Sequence, residues 1–154
     1  MTTEQLNVKN KSIMQAKVKM ELIKIFDKIH SELMDYNVVG EKAPSGLIIM
    51  TTELILSNVL KIHNYLFLES VLVDHSIQLH EINNNREIDT ELYLKSRRRK
   101  MPKLWDSLRD ENSNELIEAI YGPIIEHDEV IKFNKFINKL HIKAQKMVAE
   151  KLKF

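Results

Sequence analysis

The sequence predicts an all-α protein: an irregular bundle of four main helices, in five or six pieces, around a long central apolar helix at residues 47–83. The chain of 154 residues has only three Gly and three Pro, whereas the turns of sheet proteins favour both residues. Residues 47–83 contain neither and are aliphatic or aromatic over most of the circumference of a helix. Such a helix must be covered by its neighbours. The length fits a single helical domain over residues 1–154.

The first helix is predicted over residues 10–37, after a polar and frayed segment at residues 1–9. Its apolar residues recur at the three-to-four spacing of an amphipathic helix. They are Met14, Val18, Leu22, Ile25, Phe26, Ile29, Leu33 and Tyr36. The glycines and the proline of residues 40–46 then mark a loop, and Ser45 is the expected N-cap of the next helix.

Residues 47–83 form the predicted central helix, either as one helix or as two collinear ones. Four residues within its apolar circumference are expected to be nearly inaccessible to solvent. They are Leu56, Leu60, Phe67 and Val71. One narrow polar stripe interrupts the apolar surface. It consists of Glu53, Ser57, Lys61, Asn64, His75 and Gln78.

A third helix is predicted over residues 87–100, because Asn84 and Glu87 have the spacing of a capping box. Pro102 cannot donate a backbone hydrogen bond, so this helix is expected to stop or kink just before it. A short helical piece over residues 103–110 is expected to follow.

The last helix is predicted over residues 124–153, after a two-turn helix at residues 115–121 that Asn112 and Glu115 would cap. The Gly-Pro pair at residues 122–123 separates the two helices. The predicted inner face of the last helix consists of Val130, Phe133, Ile137, Leu140, Ala144, Met147 and Val148. Acids at its start and lysines at its end suit the helix dipole.

Charge is segregated along the chain, although the formal net charge is only +1. Residues 95–103 hold six bases and no acid, residues 104–129 hold eight acids and one base, and residues 130–154 hold seven lysines and one Glu. Such blocks predict helices that neutralise one another, or a polar surface with a partner. The sequence has no Cys, which excludes disulfides and thiolate sites, and no signal-peptide pattern. We therefore expect a cytoplasmic, intracellular protein.

The basic cluster at residues 95–103 is the first candidate binding site. With the aromatic residue beside it, it comprises Lys95, Arg97, Arg98, Arg99, Lys100, Lys103 and Trp105. Such residues can bind phosphates and stack on a base, form a nuclear localisation patch or pair with an acidic partner. The simplest alternative is a solvated helix end beside the acids of residues 104–129. The four bases of residues 97–100 are expected to be largely exposed, because a buried unpaired Arg is too costly.

A row of lysines along the last helix is the second candidate site. It consists of Lys132, Lys135, Lys139, Lys143 and Lys146, with Lys153 continuing the row. Only Glu150 interrupts the row, so intrahelical ion pairs are few. The row is either a solubilising face or a surface for a polyanion or an acidic protein.

Polar residues within the apolar central stretch are the third candidate site. Those at heptad-like spacing are His63, Ser70, Asp74 and Glu81. Because a buried acid needs a partner or a proton, we expect a buried polar network that sets the helix register or contacts a second chain. A metal site is not predicted, because the paired Glu-x-x-His motifs of a di-iron bundle are absent from the sequence.

The sequence contains no G-x-S-x-G motif, no P-loop and no G-x-G-x-x-G motif. We therefore predict no catalytic residue, no metal and no cofactor. The predicted function is that of a non-catalytic helical interaction subunit, acting through protein–protein contacts in a larger assembly or a homo-oligomer. The alternative is a nucleic-acid-binding protein that uses residues 95–103 and the lysine-rich last helix. An enzyme with a polar site inside the bundle has no motif to support it.

A membrane span is not predicted, although residues 47–73 are apolar enough to raise the question. Glu53, Lys61 and Glu69 lie within this stretch. Their charges would be too costly in a single lipid-exposed helix, so the stretch is predicted to be a buried core helix.

Overall fold

The computed structural model describes residues 2–38, 41–42, 45–109 and 127–153, and for residues 7–14, 38, 41–42, 45, 100–109 and 127 it describes the backbone alone. Within these residues the helices are α1 (Thr3–Asp35), α2 (Ser45–Ile62), α3 (Glu69–Asn84), α4 (Thr90–Arg109) and α5 (His127–Lys151). A 3-10 turn at Leu66–Leu68 leads into α3, and a two-residue antiparallel pair, β1 (Asn37–Val38) with β2 (Glu41–Lys42), lies between α1 and α2. The predicted all-α class is confirmed.

The predicted central helix at residues 47–83 is divided into two helices that pack against each other, α2 and α3. The chain turns at Asn64, which has a left-handed φ of 60°, a conformation that Asn tolerates better than most residues. A β-carbon at Gly46, near the start of α2, would lie 3.6 Å from the ring of His80, near the end of α3. The two helices therefore run antiparallel, and the expectation of one helix or two collinear ones is wrong. In the hairpin, α2 and α3 cover part of each other's apolar surface, which in one long helix would have to be covered by other elements.

The hairpin also decides which of the predicted core residues are buried. Leu56 and Leu60 have no exposed surface, as expected. Phe67 is exposed and Val71 is half-buried, so the prediction that both are inaccessible is wrong. Phe67 belongs to the 3-10 turn at the end of the hairpin, where a side chain is not surrounded by helices.

The core lies between α1, α2 and α5, with α3 completing it. The inner face predicted for α1 is buried from Val18 to Leu33, while the side chain of Met14 lies outside the described residues. In α5 the buried residues are Phe133, Ile137, Leu140, Ala144 and Val148, all from the predicted inner face. The other two residues of that face, Val130 and Met147, are half-buried against the core. The first helix begins at Thr3, earlier than the predicted residue 10, behind a capping box formed by Thr2 and Gln5.

The α4 helix begins and ends differently from the prediction. Asp89 caps its start, since its Oδ1 accepts hydrogen bonds from the backbone N–H groups of Glu91 at 2.9 Å and Leu92 at 3.2 Å. Asn84, the predicted cap, is instead the last residue of α3. The α4 helix then continues through Pro102, so the predicted stop there is wrong. A proline removes one backbone hydrogen bond, and the rest of the helix tolerates that loss.

Two further predictions concern the approach to α5. The predicted helix at residues 115–121, its cap at Asn112 and Glu115, and the break at residues 122–123 lie outside the described residues. The last helix itself is confirmed: predicted over residues 124–153, it is observed as α5 from His127 to Lys151.

Candidate functional site

Arg97 is buried between three helices, contrary to the expectation that it is exposed. Its side chain is only 12% exposed. Its Nε lies 3.1 Å from Glu53 Oε2 and its Nη2 lies 3.1 Å from Ser57 Oγ, both on α2. Its Nη1 lies 2.9 Å from Glu69 Oε1 on α3. An Arg can be buried when carboxylates and hydroxyls satisfy it in this way.

Glu53 is the carboxylate at the centre of these contacts and has no exposed surface. Besides Arg97, it accepts a hydrogen bond from the Tyr93 hydroxyl at 3.3 Å. Burial raises the pKa of Glu53, while the adjacent Arg97 charge opposes that rise. Burial and the neighbouring carboxylate also raise the pKa of Tyr93, which keeps the phenol protonated. We call Arg97, Glu53, Glu69, Ser57 and Tyr93 the Arg97 cluster.

Ser76 on α3 is fully buried beside this cluster. Its hydroxyl makes no hydrogen bond within the described residues. The cluster joins polar groups of α2, α3 and α4 in one buried site. The Arg97 cluster attaches α4 to the α2–α3 hairpin.

A cavity of about 260 Å³ lies beside the Arg97 cluster. Its walls are formed by Gly46, Leu47, Met50, Glu53, His80, Ile88, Tyr93, Ser96 and Arg97. The rings of His80 and Tyr93 pack at 5.5 Å between centroids. Burial lowers the pKa of His80, which favours the neutral imidazole. The cavity thus combines apolar walls with a neutral imidazole and the buried ion pair of Glu53 with Arg97, a composition typical of small-molecule sites.

The other bases of the predicted basic cluster at residues 95–103 divide into two sets. Lys95, Arg98 and Arg99 are exposed, as expected for Arg98 and Arg99. The side chains of Lys100, Lys103 and Trp105 lie outside the described residues. Successive residues of a helix are about 100° apart at ~3.6 residues per turn, so burial of Arg97 turns its neighbours towards solvent.

The predicted lysine row on α5 is largely exposed. Lys132, Lys135, Lys139, Lys146 and Lys153 are exposed. Lys143 is half-buried and forms an ion pair with Glu32 on α1. The α5 helix packs against α1 and α2, whereas α4 packs against α2 and reaches α3 through Arg97. The two basic segments therefore have α2 as a common neighbour, but α5 also packs against α1 and α4 also contacts α3.

The turn between α2 and α3 carries large apolar side chains in solvent. Ile62 is 54% exposed, Leu66 43% and Phe67 67%. The backbone of this turn is well ordered by hydrogen bonds, among them the Tyr65 N–H to the Leu60 carbonyl at 2.7 Å. We call residues 62–67 the apolar turn. Sequence reasoning missed this surface because it placed these residues inside a continuous helix.

The predicted buried network of His63, Ser70, Asp74 and Glu81 does not form. Ser70 and Asp74 are exposed, while His63 and Glu81 are half-buried. Glu81 accepts a hydrogen bond from the backbone N–H of Ile88 at 3.2 Å. The heptad-like spacing assumed one helix, but α2 ends at Ile62, so His63 does not share a helix with the other three.

Other polar contacts join the helices. His75 Nε2 on α3 lies 2.8 Å from Asp27 Oδ1 on α1. His141 on α5 lies between two amides, with its Nε2 2.7 Å from Asn58 and its Nδ1 2.9 Å from Gln145. In both contacts the amide atom is the nitrogen, Nδ2 of Asn58 and Nε2 of Gln145. A neutral imidazole accepts at only one ring nitrogen, so it accepts a hydrogen bond from one of the two amides. Burial lowers the pKa of His141, which favours this neutral form.

Within the described part of the chain, no three His, Asp or Glu side chains are grouped as a metal-binding set. None of the described helices is both long enough and apolar enough to cross a membrane. Comparison with protein-family models, with curated proteins and with solved structures finds no match for this chain.

Proposed function

We propose that the protein is a non-catalytic helical interaction module that binds an acidic amphipathic segment of a partner protein at the apolar turn. The observation that carries this proposal is the exposure of Ile62, Leu66 and Phe67 on one ordered turn. Aromatic and large apolar side chains dominate the binding energy of protein interfaces. An ordered backbone also reduces the entropy lost on binding.

Positive charge beside the apolar turn supports an acidic occupant. Tyr93 contacts Glu53, and Arg97, one turn later in α4, contacts Ser57, one turn later in α2. The two helices therefore run side by side in the same direction, and α4 beyond Arg97 extends towards the apolar turn. Arg98 and Arg99 are the exposed arginines of this part of α4. A segment with an apolar face and flanking acids complements both features.

A designed acidic amphipathic peptide of Leu, Phe, Glu and Asp, compared with a scrambled peptide of equal composition, tests the proposal by fluorescence anisotropy. We expect the amphipathic peptide to bind and Phe67→Ser to weaken binding at least about tenfold, a loss of roughly 1.4 kcal/mol. Ile142→Ser is the matched control, because Ile142 is 53% exposed on α5, and it should leave binding unchanged. Equal binding of both peptides, or no effect of Phe67→Ser, would contradict the proposal.

Charge reversal tests which of the two basic surfaces, that of α4 or that of α5, contributes to peptide binding. Arg98→Glu with Arg99→Glu should weaken peptide binding, whereas Lys135→Glu with Lys139→Glu on α5 should not. Duplex DNA is the competing probe. Nucleic acid would replace the proposed partner if the peptide fails to bind and DNA binds with a steep salt dependence. In that case the charge reversals on α5 should weaken DNA binding, and Phe67→Ser should leave it unchanged.

A second copy of the chain is the remaining alternative occupant. Light scattering over a range of protein concentrations measures self-association. A dimer that Phe67→Ser dissociates, together with a failure to bind the acidic peptide, would assign the apolar turn to a homo-oligomer and overturn the proposal. A monomer that binds the peptide supports it.

A further inference from the structure

We infer that the cavity between α2, α3 and α4 binds a small planar cation with one aromatic ring, of the amidinium or protonated heteroaromatic amine class. The site is separate from the apolar turn and does not depend on the proposed interaction with a partner protein. Its size, its charge and the groups in its walls each restrict the class of ligand.

The volume fits one substituted ring. The cavity measures about 260 Å³, and an apolar protein cavity of roughly 150 Å³ is known to hold benzene. Leu47, Met50 and Ile88 provide apolar walls for such a ring. The rings of His80 and Tyr93 line the same space, and the face of a tyrosine attracts a cation.

The charge of the Arg97 cluster disfavours an anionic ligand. Arg97 is the cation of this wall, and each of its guanidinium nitrogens already contacts a protein oxygen. Two carboxylates share this single guanidinium: Glu53, which lines the cavity, and Glu69, which does not. An anion would add a third negative charge, whereas a cation balances the existing excess.

The walls also supply an acceptor for the N–H groups of the ligand. His80 is half-buried, lines the cavity and makes none of the described hydrogen bonds. A neutral imidazole has one nitrogen that accepts. Glu53 has no exposed surface, so its carboxylate attracts the cation from within the wall. The ligand can therefore donate a hydrogen bond to the imidazole of His80 and is attracted by the negative charge of Glu53 in the wall.

Benzamidine, benzamide and benzoate test this inference, because they share a ring and a planar substituent and differ in charge. Titrations followed by protein NMR should show benzamidine binding at least about tenfold more tightly than benzoate, with benzamide between them. Amide shifts caused by benzamidine should centre on Gly46, Leu47, Ile88 and Ser96. Benzoate binding as tightly as benzamidine, shifts centred elsewhere, or no benzamidine binding at millimolar concentration would overturn the inference.

Glu53→Gln removes the charge with almost no change in shape. It should reduce the preference for benzamidine over benzamide to less than about threefold, a difference of roughly 0.7 kcal/mol. Asp74→Asn is the control, because it removes one negative charge from an exposed position of α3, and it should keep the preference. A preference that survives Glu53→Gln would overturn the inference. If that variant does not fold, the shifts and the ligand ranking in the unaltered protein still decide.

Discussion

The α4 and α5 helices both present bases to solvent, but they are attached to the bundle in different ways. The α5 helix buries an apolar stripe that includes Phe133 and Val148. In α4, none of the side chains at residues 90–99 is fully buried, and Arg97 and Tyr93 provide its described polar contacts with the hairpin. An apolar stripe stabilises through surface removed from water. A buried ion pair depends on the ionisation and the presence of every partner.

The largest effect is expected where the apolar attachment is broken. Phe133→Ala should lower the free energy of unfolding by about 3–5 kcal/mol, because it removes a completely buried ring and leaves a cavity. Leu92→Ala, at an exposed residue of α4, should change the free energy of unfolding by less than about 0.5 kcal/mol. Urea denaturation measures both. Equal losses in the two variants would contradict the difference between the helices.

Breaking the polar attachment should cost somewhat less. Arg97→Ala should lower the free energy of unfolding by on the order of 3 kcal/mol at neutral pH, because it leaves Glu53 buried without its cation. The loss stays at this lower level because the pKa of Glu53 is already raised by burial, so proton uptake can relieve the charge. Arg98→Ala, at an exposed neighbour, should have no measurable effect. A loss at Arg98 equal to that at Arg97 would contradict the account.

A double substitution sharpens this test. Glu53→Met with Arg97→Met removes both buried charges, so stability should recover most of what Arg97→Ala loses, since apolar replacements of buried ion pairs are often neutral or stabilising. Glu69, which keeps partial contact with solvent, needs no replacement. A double variant less stable than Arg97→Ala would contradict this expectation. It would mean that the ion pair itself stabilises the fold, beyond the cost of leaving Glu53 without its partner.

Lowering the pH should destabilise the fold through its buried histidines. Burial holds the pKa of His30, His80 and His141 below the ordinary value of 6.5. The unfolded chain therefore binds more protons as the pH falls below about 6.5, and the free energy of unfolding decreases. The raised pKa of Glu53 acts in the opposite direction at lower pH.

Denaturation between about pH 7.5 and pH 5.5, a range that spans the titration of histidine, measures this effect. His141→Gln should reduce the decrease, because Gln cannot take up a proton. A free energy of unfolding that stays constant or rises as the pH falls over this range would contradict the buried neutral histidines.

The smallest effect is expected at the ion pair between Lys143 and Glu32. Both side chains remain partly exposed to solvent, so screening should limit the contribution of the pair to less than about 1 kcal/mol. Lys143→Met, compared with Lys139→Met at an exposed position of the same helix, measures it by denaturation. A loss of stability as large as that of Arg97→Ala would contradict the expectation that an exposed ion pair contributes less than a buried one.

The attachment of α5 could be predicted from the sequence, and the attachment of α4 could not. The residues of α5 that are buried recur at helical spacing, so the pattern itself identified them. In α4, the pattern of bases at residues 97–99 suggested one solvated cluster. The missed signal was the matched spacing of Glu53 with Ser57 and of Tyr93 with Arg97, each one helical turn apart. Only tertiary structure shows that these two pairs face each other.

The hairpin turn and the start of α1 were missed for simpler reasons. No Gly or Pro marks the turn at Asn64, and the turn instead uses the tolerance of Asn for a left-handed φ. Thr2 and Gln5 have the spacing of a capping box, but the polar composition of residues 1–9 suggested fraying. The exposure of the apolar turn was missed because of the first of these errors. Residues inside a central helix are expected to be buried.

Hydrogen exchange tests most directly whether α4 is held by the Arg97 cluster. Backbone amides of α4 and α5 are compared in the unaltered protein and in Arg97→Met, under conditions where exchange occurs through local opening. We predict that the amides of residues 93–99 exchange at least about tenfold faster in the variant, a loss of roughly 1.4 kcal/mol of local stability, while those of α5 keep their protection. Unchanged exchange in α4, or an equal loss in both helices, would contradict the account.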